Sequence, residues 1–91
     1  MEKLDNVSAD ILIVEDEVAH ADAILEGLER IGHRCRVAND GATGIAQIKN
    51  HAFDIIVTDL VLGGPQDGLA VLAAAREFSP GAKVILITAH S

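Results

Sequence analysis

The chain has 91 residues, 49% of them apolar, and a formal net charge of −7; that is enough apolar surface for one small core and too little chain for a second domain. So acidic a chain lacks the basic footprint of a nucleic-acid binder and is repelled by anionic membrane surfaces, which leaves cations and proteins as the expected partners. A lone cysteine, Cys35, excludes an internal disulfide and a thiolate-built zinc site, and no apolar run is long enough to cross a bilayer or to follow Met1–Asp10 as a signal peptide. A cytoplasmic setting is the expectation.

In chain order, the first apolar run is Ile11-Leu12-Ile13-Val14, without polar alternation, as expected of a strand buried on both faces of a parallel sheet. Val18, Ala21, Leu25 and Leu28 follow at helical spacing, stopped by Ile31-Gly32. The second run, Cys35 to Ala38, is interrupted by Arg36 and is placed at a sheet edge. Asp40 can cap a helix carrying Ile45, Ala46 and Ile48 before a third strand, Ile55 to Thr58. Asp67 can cap a third helix carrying Leu69, Leu72, Ala73 and Ala75, ended by Ser79-Pro80-Gly81, and Val84 to Ile87 is a fourth strand. Alternating strands and helices give βαβ units, a doubly wound α/β sheet with helices on both faces. The chain stops at Ser91, soon after the fourth strand, and an outermost apolar strand templates pairing. Either the chain is a fragment or another copy, as in a homodimer, shields that edge.

Ligands of open parallel sheets bind beyond the carboxyl ends of the strands, where the winding reverses. The first strand ends in Glu15-Asp16-Glu17, the third in Asp59 and the fourth in Thr88. If the first and third strands are neighbours, acids and a hydroxyl converge at one rim. Clustered carboxylates raise one another's pKa, and a hard divalent ion with oxygen ligands relieves them. Mg²⁺ fits, since it takes only one or two carboxylates and keeps places for water and phosphate oxygens.

Taken together, the runs ILIVEDE, FDIIVTDL and VILITAH, in that order and spacing, resemble the receiver domains of two-component response regulators. The resemblance spans Asp10 to Ser91, with residues 1–9 as an N-terminal tail of a domain covering residues 1–91. It implies a flavodoxin-like receiver fold with strand order 2-1-3-4 and no fifth βα unit. It further implies that Asp59 is the phosphoacceptor and that Asp16 coordinates Mg²⁺ directly and Glu15 through water. The main-chain carbonyl of Val61 would be another ligand, Thr88 the hydroxyl that bonds a phosphoryl oxygen, and Ala89 the small residue leaving the acceptor accessible. The partners implied are a sensor histidine kinase or phosphotransfer protein and an output module; any DNA contact would belong to that output. The ending TAHS resembles receivers fused to sigma-54-dependent activators. Two departures stand out. The family's lysine at the end of a fifth strand has no counterpart, because Lys83 precedes the fourth strand and belongs at the opposite rim. The loop Leu62 to Gly68 is a variant of the family's Met-Pro…Asp-Gly loop, longer by one residue.

Each residue also has a plainer reading. Glu15 and Asp16 could cap the first helix, Asp59 could sit in a turn, and a β-branched Thr88 needs no function. Their joint register favours the site. Gly63-Gly64 is a turn rather than a nucleotide cradle, His20, His33 and His51 are surface residues, His90 is at most a modulator of access, and Cys35 is a small buried apolar residue. Two other functions compete with the switch. A phosphohydrolase of the haloacid dehalogenase type wants a second aspartate where Val61 stands, and a non-phosphorylated receiver would act only by protein contact.

Overall fold

The computed structural model describes residues 7–88. In chain order its elements are β1 (Asp10–Val14), α1 (Val18–Arg30), β2 (Arg34–Ala38), α2 (Gly41–Asn50), β3 (Ile55–Asp59), α3 (Gly68–Phe78) and β4 (Lys83–Ile87). The strands form one parallel sheet in the order β2-β1-β3-β4, the order expected from the receiver resemblance. All of the anticipated strands and helices are present.

The sheet is parallel because every strand returns through a helix, and its centre is apolar on both faces. In β1, Ile11, Leu12, Ile13 and Val14 are all at most 2% exposed, which explains the absence of alternation in that run. Leu12, Val14 and Ile56 pack with Ile48 of α2 and with Val71 and Ala75 of α3 into the main core. Ile11 and Ile13 face the opposite side, the side that α1 covers with Ala21. β2 is an edge strand, and its Arg34 and Arg36 are exposed while Cys35 is half-buried. β4 is the other edge, with Ile85 46% and Leu86 41% exposed.

Helical spacing located the helices but not all of their inner faces. Val18 is 60% and Leu69 57% exposed, and both stand in the first turn of their helices. Ala46 and Ala73 also face water, whereas Gly41, Gly44 and Gly68 are buried. Asp40 and Asp67 cap as expected, accepting from the amides of Thr43 at 2.7 Å and Ala70 at 3.0 Å.

Close approach explains the buried glycines. A β-carbon on Gly41 would meet the backbone carbonyl of Gln66, and one on Gly44 would come 2.9 Å from Val14 Cγ2. The loop after β3 therefore rests directly on the start of α2. Gly27, inside α1, has no neighbour within 4 Å of such a β-carbon. Gly41→Ala is therefore expected to destabilise the fold by about 2 kcal/mol, because a backbone segment must shift. Gly27→Ala is expected to stabilise it by about 0.5–1 kcal/mol through helix propensity alone. Urea denaturation followed by circular dichroism checks both signs.

Candidate metal centre

Because β1 and β3 pair in register, Val14 with Thr58, the residues that follow them emerge side by side at the carboxyl rim. Glu15, Asp16 and Asp59 each offer an oxygen there, all within 4.8 Å of one another. Glu15 is 1% and Asp59 5% exposed, while Asp16 is open to solvent.

The backbone fixes each acid differently. The amide of Glu15 donates to Ala38 O at 3.0 Å, and Asn39 Nδ2 donates to Glu15 O at 3.1 Å, so β2 tethers the end of β1. Glu15 Oε2 accepts from the amide of Glu17 at 2.9 Å, which places that oxygen at the entry to α1. This is not a helix cap: Glu17 is itself the N-cap residue of α1, and no side chain among the described residues caps that helix. Glu15 Oε1 is buried and has no hydrogen-bond partner among the described residues. Asp16 Oδ2 accepts from the amide of Gly63 at 2.9 Å, and Asp59 Oδ1 from the amide of Val61 at 3.2 Å.

Electrostatics run against this arrangement unless a cation joins it. Burial, chiefly, pushes the Glu15 carboxyl above its usual pKa; the charges of Asp59 and Asp16 add to the rise, and the Glu17 amide opposes it. Two unit charges 4.8 Å apart repel by roughly 3.5 kcal/mol at an effective dielectric of about 20. Solvent reduces this for Asp16. No lysine or arginine pairs with the three acids among the described residues. An all-oxygen donor set, two buried carboxylates and an orphaned buried oxygen fit a hard divalent ion.

The other expected site residues are distributed around the same rim. Thr88 follows Ile87, which is the register partner of Asp59 and accepts from the Leu60 amide at 2.8 Å; its side chain is exposed. Val61 lies in the loop beyond Asp59 and is 56% exposed. Lys83 begins β4 and donates its amide to Asp54 O at 2.9 Å, at the far rim as expected. Ala89 and His90 fall outside the described residues.

His20, read from sequence as a plain surface residue, is 45% exposed but leans toward the cluster, with Nδ1 3.0 Å from Glu17 Oε1 and 4.0 Å from Glu15 Oε1. Its place in the first turn of α1, one turn after Glu15-Asp16-Glu17, is the signal that could have found it. His33 is half-buried, and its Nδ1 accepts from the amide of Ala9 at 3.0 Å; this corrects the expectation of a plain surface residue, since His33 ties the chain entering β1 to the α1–β2 turn. Cys35, expected to be buried, is half-buried, and burial, chiefly, raises its thiol pKa. A cavity of about 380 Å³ beside Asp10, Arg34 and Phe53 lies at the opposite end of the sheet and shares no residue with the acid cluster.

The response regulator receiver domain family model matches residues 11–91. The chain belongs to this family. Among curated relatives, the transcriptional regulatory protein ZraR of Escherichia coli K12 is 30% identical over 87 residues, 96% of this chain but 19% of that protein. The chain therefore spans about a fifth of that relative's length. A response regulator from Burkholderia pseudomallei, solved with a phosphorylated aspartic acid and a calcium ion, superposes with a TM-score of 0.83 at 27% identity, covering 90% of this chain and 48% of that one. The response regulator TrrA of Thermotoga maritima, solved with Mg²⁺ and BeF, gives a TM-score of 0.82 at 29% identity, covering 90% and 70%. No helix among the described residues is long and apolar enough to cross a membrane.

If Glu15 carries uncompensated buried charge, removing that charge relieves the metal-free fold. Glu15→Gln is expected to raise the melting temperature of the chelator-treated protein by about 4–8 °C, the shift that 1 kcal/mol produces in a domain of this size. The same variant is expected to lose the additional stabilisation that millimolar Mg²⁺ gives the wild type. Differential scanning calorimetry with and without the ion measures both.

Proposed function

We propose that this receiver is a Mg²⁺-dependent phosphoacceptor switch whose acceptor is Asp59. The observation carrying this reading is the meeting of Glu15, Asp16 and Asp59 within 4.8 Å at one rim. Asp16 and Asp59 would hold the ion, helped by the Val61 main-chain carbonyl and, through water, by Glu15. When bound, Mg²⁺ supplies positive charge against the transferring phosphoryl oxygens.

Asp59 is a carboxylate already aimed. Its Oδ1 is held by the Val61 amide, and Oδ2 has no hydrogen bond among the described residues, which leaves it free as the nucleophile. It attacks the phosphorus of a phosphohistidine on a partner kinase or phosphotransfer protein. The P–N bond breaks, the imidazole keeps the electron pair, and an acyl phosphate forms on Asp59. Thr88, one residue beyond the register partner of Asp59, is in reach of the rim to bond a phosphoryl oxygen. That contact would bias a surface read by an output module; the relative named above is a transcriptional regulatory protein. The protein would work in the cytoplasm, accept phosphoryl stoichiometrically and contact no nucleic acid through this acidic domain, which takes in residues 1–91 with 1–9 as a tail. A sigma-54-dependent output is the form suggested by the TAHS ending.

A second reading is a receiver acting by contact alone, as a dimerisation or docking module. The exposed apolar edge of β4 at Ile85 and Leu86 favours it. Incubation with acetyl phosphate and Mg²⁺ followed by intact-mass measurement separates the two. The phosphoacceptor reading expects one added phosphoryl group, abolished in Asp59→Asn and by EDTA; an unchanged mass selects contact alone. Catalytic release of phosphate over many turnovers would instead indicate a phosphohydrolase.

A further inference from the structure

Each of the three acids gives one oxygen to a backbone amide and keeps the other. Glu15 Oε2 accepts from Glu17 at 2.9 Å, Asp16 Oδ2 from Gly63 at 2.9 Å and Asp59 Oδ1 from Val61 at 3.2 Å. Glu15 Oε1, Asp16 Oδ1 and Asp59 Oδ2 have no hydrogen-bond partner among the described residues. Two of these amides lie two residues beyond the acid they hold, which is ordinary turn chemistry. The third comes from 47 residues away. Gly63 stands so close that a β-carbon on it would be 3.3 Å from Asp16 Oδ2, and its loop is seated by the buried Leu62 and by Gln66 against Gly41. Burial does not orient Asp16, which is open to solvent; the loop does.

We propose that Gly63 is a positioning residue that makes the acid cluster selective for Mg²⁺ over Ca²⁺, its amide occupying Asp16 Oδ2 and leaving one Asp16 oxygen to an ion. The inference rests on the reading of the cluster as a metal site and adds a residue and a basis for selectivity to it. Ca²⁺ takes about six to eight oxygens and commonly draws two from one carboxylate, whereas Mg²⁺ demands a small, near-octahedral shell that it completes with water. Three carboxylates with one free oxygen apiece suit the smaller ion. Asp16 is the exposed member of the three, so its second oxygen is the one free to swing toward a larger ion. The Gly63 hydrogen bond is what that swing must break. Gly63→Pro deletes the N–H, and Gly63→Ala keeps it. Gly63 lacks the left-handed backbone of Gly64, whose φ is 87°, so alanine fits once the exposed Asp16 carboxylate yields slightly.

Isothermal titration of the whole chain with Mg²⁺ and, separately, with Ca²⁺ tests this in the wild type, Gly63→Pro, Gly63→Ala and Asp59→Asn. The wild type is expected to bind Mg²⁺ the more tightly. Gly63→Pro is expected to weaken Mg²⁺ roughly tenfold while changing Ca²⁺ less than about twofold, and Gly63→Ala to change either ion less than about twofold. A wild type that prefers Ca²⁺, equal effects of Gly63→Pro on the two ions, or a loss of preference as large in Gly63→Ala overturns the proposal. Crystal structures of the wild type with each ion need no substitution. The Mg²⁺ complex is expected to keep the Gly63 amide on Asp16 with one Asp16 oxygen on the ion, and the Ca²⁺ complex to take both oxygens and release the amide. The same Asp16 coordination with both ions overturns the proposal likewise. Mg²⁺ binding unweakened by Asp59→Asn would overturn the acid-site reading itself, an outcome distinct from any result with Gly63.

Discussion

The repulsion among three carboxylates at the end of two neighbouring strands is the constraint on which the rest of this molecule turns. It exists because β1 and β3 are adjacent and parallel, so the residues that follow them emerge at one rim. No lysine or arginine among the described residues pairs with these acids, and burial together with the neighbouring charges raises the Glu15 carboxyl pKa. Protonation of the buried Glu15 carboxyl or a bound cation would each relieve such a feature. Site and fold are thus opposed for as long as these charges stand uncompensated.

The scaffold that imposes this arrangement is mostly backbone. Gly63 donates its amide to Asp16, Val61 to Asp59 and Glu17 to Glu15. The loop that carries the first two of these amides is seated by packing so close that Gly41 and Gly68 have no room for a side chain against Gln66 and Leu60. Leu62, only 6% exposed, anchors the same loop in the main core. A change in what Asp16 or Asp59 binds is therefore felt by a segment that already touches α2 and α3. Such coupling is what a switch of this kind needs.

The fold was largely legible from residues. Ile11 to Val14 and Ile55 to Thr58 read as buried parallel strands because apolar β-branched residues fill both faces, and Arg36 marked β2 as an edge; Val84 to Ile87 has the same composition but forms an edge strand with none of its residues fully buried. The acids were legible because their positions at strand ends give them one rim once β1 and β3 are neighbours. Side-chain burial on the helices was less so: Val18 and Leu69 lie in first turns that overhang the sheet, and three glycines rather than apolar side chains make close contacts. His20 is exposed as read from sequence, and the half-buried His33 was misjudged. An isolated histidine carries no periodic signal, and its role depends on a neighbour one turn or one strand away, as with Glu17 and Ala9.

Crystals soaked in Mn²⁺, an oxygen-seeking ion with usable anomalous scattering, would test the shared-ion geometry most directly. One anomalous peak bonded to Asp16 and Asp59, with Glu15 Oε1 reached directly or through a single water, is the expected result. A fully occupied peak elsewhere on the surface, with none between these three acids, would contradict it.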